Sequence, residues 1–267
     1  MSKIIKGVLD GHICDRPYEQ SANVFFHCMR KMEYLKEILK EQAIYPRYNI
    51  ENVSYLQLNK YDNIGIPMVC FCDIYITKLK SHIKKYGGYG IGLEKKPEIE
   101  DKLTPILYVN ESSYLFNDFR EVLEESIDQI MNDKEMPLYD YIIHQLLYTK
   151  PLRGVMKIEG KEKNMIFHDE REWRFIPDMN DTKLDPVIFD KDFLTKENLD
   201  VLNKSLRFYD NCKMKFNLSN IKYILVPNER NRDSMIRFVE KKLPIETFEK
   251  YRLISKLITF DEIEDDL

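Results

Sequence analysis

The sequence has few of the residues that make flexible linkers. Glycine occurs 9 times and proline 11 times in 267 residues, while hydrophobic residues make up 43% of the chain. A chain of this length and composition can bury a full core, and intrinsic disorder is not expected. We therefore predict one folded domain over residues 1–267.

An excess of positive charge is also missing. The formal net charge is −4, so no global basic field attracts the phosphate backbone of a nucleic acid. Any contact with nucleic acid would have to be local.

The cysteines do not show the spacing of a secreted disulfide framework. Five cysteines form an odd set, which favours a reducing compartment. They are Cys14, Cys28, Cys70, Cys72 and Cys212. Cys70 and Cys72 are separated by one residue and lack the two-residue gap of zinc knuckles, so we expect no metal site.

Long apolar runs are absent as well. No stretch approaches the roughly 18 apolar residues of a membrane span, and the N-terminal segment has no uninterrupted apolar core of a signal peptide. We expect a cytoplasmic protein without a membrane partner.

The apolar pattern alternates between strand and helix signals. The clearest strands are predicted at 23–28, 66–74, 172–176 and 221–226, and the 66–74 run should be central because it is apolar throughout. Helical spacing marks 32–42, 77–85 and 231–242, with Thr77 as a cap. Shorter strands are predicted at 53–58, 106–109, 165–168 and 252–259.

A helical insert interrupts this order at residues 112–148. Apolar residues such as Leu115, Val122 and Ile127 recur at intervals of three and four, with a break near Pro137. We interpret the insert as a packing layer without chemistry of its own. The fold class that follows is α+β.

Three segments combine aromatic, glycine, histidine and acidic residues. They are Phe25-Phe26-His27, then Pro67 to Ile74 with Ser81-His82 and Tyr86 to Gly92, and Asp169 to Arg174. In this order the segments resemble the AbiGi family of abortive-infection proteins over residues 21–177. The resemblance implies the antitoxin partner of a two-gene phage-defence system whose toxin resembles a nucleotidyltransferase.

Glu170 and Glu172 are two acidic residues separated by one position. On a strand with a two-residue period, the two carboxylates face one side, and burying both is costly unless cations or a ligand balance them. Arg171 and Arg174 could be such cations or could lie elsewhere.

The order of a histidine, an aromatic platform and a late glutamate also resembles, more distantly, DNA-modifying ADP-ribosyltransferase toxins. That likeness implies a split mixed or antiparallel sheet with flanking helices, and NAD as a substrate. It implies that His27 binds a ribose, that Tyr86 or Tyr89 stacks on nicotinamide, and that Glu172 with Glu170 is catalytic. The target would be a nucleic acid or a protein.

Simpler interpretations of the same residues stay open. His27 could be an interior histidine, and the glycines after Tyr86 form no phosphate-binding fingerprint, so they should serve turns and close approaches. His82 and His168 should be exposed, and Trp173 should pack into the core. An enzyme would bring His27, Tyr86 or Tyr89, and Glu172 to one cleft, whereas a binding protein would pair the two glutamates with arginines in a closed core.

Overall fold

The structure is a computed structural model that describes residues 21–58, 60–130, 138–158 and 160–265. Cys14, the N-terminal segment and the helix break near Pro137 lie outside these ranges. No helix in them is both long and apolar enough to span a bilayer.

The strands are numbered in chain order. They are β1 Val24–Met29, β2 Ala43–Ile44, β3 Arg47–Asn52, β4 Asn63–Cys72, β5 Tyr89–Glu94, β6 Thr104–Pro105, β7 Leu107–Val109, β8 Thr149–Pro151, β9 Arg153–Ile158, β10 Lys161–Ile166, β11 Glu172–Phe175, β12 Met214–Lys215, β13 Ile221–Val226 and β14 Leu257–Thr259.

The α-helices follow the same scheme. They are α1 Met32–Glu41, α2 Leu79–Tyr86, α3 Pro97–Glu100, α4 Tyr114–Ile130, α5 Tyr139–Leu147, α6 Lys196–Leu206, α7 Glu229–Lys242, α8 Thr247–Ile254 and α9 Phe260–Asp265.

Eight strands form one mixed sheet in the order β14-β13-β5-β1-β4-β11-β6, with β3 paired to β4 off this path. Only β13 and β14 of this sheet run parallel, and the other ladders are antiparallel. The α+β class, the mixed sheet and the central position of β4 are thereby confirmed.

The two faces of β4 bury different cores. On one face Val69 and Phe71 pack with side chains from α1, α7 and α8. On the other face Ile64 and Ile66 pack against the helices of the insert. Because successive side chains of a strand point to opposite faces, one apolar run can supply both cores.

The insert packs as a layer, as predicted, and its buried face includes the predicted Ile127 but not Leu115 or Val122. Phe116, Leu123 and Ile127 are buried, whereas Leu115 and Val122 are 63% and 40% exposed. Apolar residues occur at adjacent positions, so the sequence alone did not show which face of the helix is buried. Packing against β4 buries one of these faces.

β4 changes neighbours along its length. Residues 63–68 pair with β3, whereas β1 meets β4 only at the Phe26–Cys72 pair. Gly65 exchanges backbone hydrogen bonds with Ile188 on the opposite edge. Since backbone groups of alternate residues point to alternate edges, β3 and β1 share the same edge of β4 and separate from each other. We call this separation the fork.

Several local predictions are wrong. Residues 53–58 form no strand, because the chain turns through a 3₁₀ segment at Ser54–Leu56, and the strand precedes it at β3. Within 252–259, residues 252–254 end α8, and only Leu257–Thr259 form the predicted strand, β14. Thr77 does not cap α2, which begins after a 3₁₀ turn at Ile76–Lys78.

Candidate functional site

A cavity of about 390 Å³ opens at the fork. β1, β3, β4, α2 and the segment before β11 all contribute residues to its lining. Its lining includes four of the five residues predicted for the site, which are His27, Tyr86, Glu170 and Glu172.

His27 bridges the gap where β1 leaves β4. Its Nδ1 lies 2.8 Å from the carbonyl oxygen of Cys70, which can only accept a hydrogen bond. Burial lowers the pKa of His27, although this hydrogen bond opposes the effect. The ring is therefore neutral with its proton on Nδ1, which leaves Nε2 as a hydrogen-bond acceptor. Its ring also contacts Phe71, with the centroids 5.5 Å apart.

Glu172 lies at the start of β11 and has a cation on each oxygen. Arg174 Nε is 2.7 Å from Oε1, and Lys150 Nζ is 2.7 Å from Oε2. Burial alone would raise the pKa of Glu172, but the two cations outweigh burial and hold this pKa well below its usual range. The carboxylate is therefore ionised and fully paired.

The pairing continues to β3. Arg174 NH2 is 3.0 Å from Glu51, and Lys150 is 3.6 Å from the same carboxylate. Arg174 also donates to the carbonyl oxygen of Leu147 at 2.6 Å, so this ion network ties the insert to the sheet. Two cations and two carboxylates balance each other, as a buried network must.

Glu170 reaches the cavity by a different route from the predicted one. It ends a 3₁₀ segment, Phe167–Glu170, and the next residue, Arg171, has a φ of 43°. The predicted strand 165–168 therefore stops at Ile166. Because of this turn, Glu170 is not on a strand with Glu172, yet both carboxylates line the cavity.

Glu170 is held by α2. Lys85 Nζ lies 3.1 Å from Oε1, and the Tyr86 hydroxyl donates to the same oxygen at 3.0 Å. Gly87 then reverses the chain with a φ of 119°, and a Cβ at this position would lie 2.4 Å from the carbonyl oxygen of Met29. Only glycine fits this close approach, which fixes Tyr86 beside β1.

His82 was predicted to be exposed, and that prediction is wrong. It is half-buried, lines the cavity and contacts the Tyr86 ring with centroids 4.4 Å apart. Burial and then Lys85 lower the pKa of His82 to about 4. The spacing of four residues on one helix could have indicated this contact.

Tyr89 is not part of the cavity. It lies on β5, where its hydroxyl accepts a hydrogen bond from Asn231 at 3.0 Å, so only Tyr86 of the two predicted tyrosines reaches the site. His168 is exposed, as predicted. Trp173 packs against the Phe25 ring with centroids 4.9 Å apart, which confirms that it faces the core.

Lys150 and Glu51 are charged residues of the candidate site that sequence reasoning missed. Each is a single charged residue without a motif around it, and they are far apart in sequence from each other and from Glu172. Within the described ranges no cluster of three or more His, Cys, Asp or Glu side chains could hold a metal ion.

The fold and the cavity define an α+β protein with a charge-paired polar site at a fork in a mixed sheet. The family model described as "Putative abortive phage resistance protein AbiGi, antitoxin" matches residues 42–227. A curated relative, "Abortive phage resistance protein AbiGi" from Lactococcus lactis subsp. cremoris, is 33% identical over 247 residues, covering 84% of this chain and 99% of the relative. The chain therefore belongs to the AbiGi family. No solved structure matches it.

The family model extends the resemblance beyond the sequence prediction at one end. It runs from 42 to 227 and so continues past Pro177 to β13, while the curated relative covers a larger share of the chain than this model does. The segments around β4, α2 and β11, which supply most of the cavity, fall inside the match.

Proposed function

We propose that this chain is the antitoxin component of an abortive phage-resistance system and neutralises a cognate toxin by binding it. The observation that carries the proposal is the closed ion network around Glu172, in a family described as antitoxin. A carboxylate with both oxygens occupied is poorly placed to stabilise a new positive charge. The proposed compartment is the cytoplasm, where free thiols such as Cys28 and Cys72 would stay reduced.

Co-expression tests this function. Cells that express the toxin encoded beside this gene should stop growing, and simultaneous expression of this chain should restore growth. The chain alone should leave growth unchanged. Failure to restore growth with both proteins present, or arrest by this chain alone, would contradict the antitoxin role.

A second function is favoured by a separate observation, namely that His27, Tyr86 and Glu172 line one cavity. As an ADP-ribosyltransferase, the protein would take NAD as substrate. His27 Nε2 would accept from a ribose hydroxyl, the Tyr86 ring would stack on nicotinamide, and Glu172 with Glu170 would stabilise the oxocarbenium ion. Nicotinamide would leave with the bonding electrons, and a nucleophile of a nucleic acid or protein would take the ADP-ribosyl group.

This chemistry requires Glu172 to be released from Lys150 or Arg174. Nicotinamide release from NAD should be measured with the purified wild type, Glu172→Gln and the control Glu121→Gln, which changes an exposed glutamate on α4. Release by the wild type and the control but not by Glu172→Gln would support the transferase. No release of nicotinamide by any of the three proteins would contradict the transferase function.

A further inference from the structure

Two strands beside the cavity have an open edge. β3 pairs with β4 and β9 pairs with β10, and no other strand in the described residues pairs with either of them. An open edge presents backbone N–H and C=O groups that can pair with another extended chain.

The register shows which groups of β3 point outward. Ile50 lies opposite Gly65, and Gly65 directs its N–H and C=O to Ile188 on the far edge of β4. In an antiparallel ladder, the backbone N–H and C=O groups of two facing residues either both point toward the partner strand or both point away from it. The backbone groups of Ile50 therefore point away from β4. At Tyr48, two residues earlier, the outward N–H is already bonded to the Asn203 side chain at 2.7 Å.

A second cavity, of about 800 Å³, lies between these strands. Its lining includes residues 50–52 of β3 and residues 153–156 of β9. We call it the slot. Glu51 and Lys150 line both the slot and the cavity at the fork, so the two spaces adjoin each other.

The side chains of the slot suit a peptide better than a polyanion. Ile50 and Val155 are 49% and 57% exposed, which offers apolar contacts on both strands. Glu111 and Glu162 line the slot, are exposed, and form no ion pair with any described residue. Two cations also line the slot: Lys150, which is paired with Glu51 and Glu172, and the exposed Arg153. Glu51, Glu111 and Glu162 exceed them by one charge, so the lining has an excess of negative charge that favours a basic side chain over a phosphate.

We propose that the slot binds an extended segment of the cognate toxin as an added β-strand, with a basic side chain of that segment near Glu111 and Glu162. This inference rests on the proposed antitoxin function and specifies where the partner binds. Backbone pairing with the open edges supplies affinity, and the apolar and acidic side chains supply specificity. The bond from Asn203 to Tyr48 stops the added strand at one end, so pairing with β3 begins at Ile50.

The test compares toxin binding by variants of the full-length chain. Ile50→Asp and Val155→Asp should weaken the affinity for the purified toxin at least about tenfold. Glu162→Lys should weaken it through charge reversal. Val201→Asp on α6 is a matched control, because Val201 is 61% exposed and does not line the slot, and it should bind like the wild type. Circular dichroism spectra should show that every variant is folded.

The outcomes separate the two proposals. A wild-type chain that does not bind the toxin would overturn the antitoxin function and this inference together. Wild-type binding that survives in Ile50→Asp and Val155→Asp would overturn the slot alone. Overlapping peptides of the toxin sequence give an independent measurement, since one of them should bind the wild type and not Val155→Asp. Binding of a single-stranded oligonucleotide in the slot, lost in Val155→Asp, would contradict a peptide ligand.

Discussion

The ion network of Glu172, Glu51, Arg174 and Lys150, which we call the floor of the cavity at the fork, differs from the adjacent slot in how its charges are paired. On the floor, Glu172 and Glu51 are buried or half-buried and share Arg174 and Lys150. In the slot, Glu111 and Glu162 are exposed and have no described partner. Buried charges must be paired for the chain to fold, whereas exposed charges cost little to leave open. Substitutions in the floor should therefore change the free energy of unfolding, and substitutions in the slot should change the affinity for the toxin.

Removing Arg174 should have the largest effect on stability. Arg174→Ala leaves two carboxylates without their shared guanidinium and breaks the bond to Leu147, and loss of one partner of a buried pair costs about 3–5 kcal/mol. Urea unfolding measures the free energy. Arg237→Ala, at an exposed position on α7, is the control and should unfold like the wild type. Equal stability of both variants would mean that the floor does not stabilise the fold.

Acidification should produce the next effect, through His82. The pKa of His82 is about 4 in the folded chain against 6.5 for a free histidine, so between these values only the unfolded chain binds the proton. The stabilisation is complete above about pH 6.5 and is lost as the pH falls toward 4. The slope is at most about 1.4 kcal/mol per pH unit, so roughly 1–2 kcal/mol should be lost between about pH 7 and pH 5.

His82→Gln should flatten that pH profile. The half-buried His27, whose pKa is also lowered, leaves a residual slope of the same sign. His168→Gln, at an exposed histidine, should retain the wild-type slope. If the profiles of His82→Gln and the wild type run parallel, His82 is not buried against Tyr86 in solution.

Tyr86→Phe should have a smaller effect. It removes the hydroxyl that donates to Glu170 but keeps the ring, and loss of one such hydrogen bond costs about 1 kcal/mol. Tyr141→Phe is the matched control, because Tyr141 is 59% exposed and should tolerate the change. Indistinguishable unfolding of the two variants would mean that Tyr86 does not hold Glu170.

Val155→Asp should have the smallest effect on stability and a large effect on binding. An exposed substitution away from buried contacts changes stability by no more than about 0.5 kcal/mol. Thermal unfolding should therefore coincide with that of the wild type while toxin binding is lost. A destabilised Val155→Asp protein would show that β9 supports the fold and would remove the contrast between floor and slot.

The sequence predicted those elements whose pattern reflects burial. β4 and β13 are apolar runs; β4 was placed within three residues of its observed ends, and β13 was placed at its observed ends. β3 was missed because Arg47–Asn52 is mostly polar, as suits a strand with an open edge. Val53 and Leu58 looked like strand residues, but Gln57 has a φ of 51° and the chain turns there.

The site was predictable only in part for a related reason. His27, Tyr86, Glu170 and Glu172 stood out as local combinations, and the fold brings them to one cavity. The sequence did not identify Lys150 as a cation that pairs with Glu172, because Lys150 lies on a short strand after the insert. Pairing between distant single residues leaves no periodic signal, so only the packed structure shows that Glu172 is occupied.

The ionisation of Glu172 tests the contrast between floor and slot most directly. The ¹³C chemical shift of its carboxyl carbon should be followed against pH in the folded protein. The pairing with Arg174 and Lys150 predicts a carboxylate that stays ionised well below the ordinary glutamate pKa of about 4.3, so the shift should not change between about pH 7 and pH 4. A midpoint at or above the ordinary value would show that the ion network is open and that Glu172 is available for chemistry.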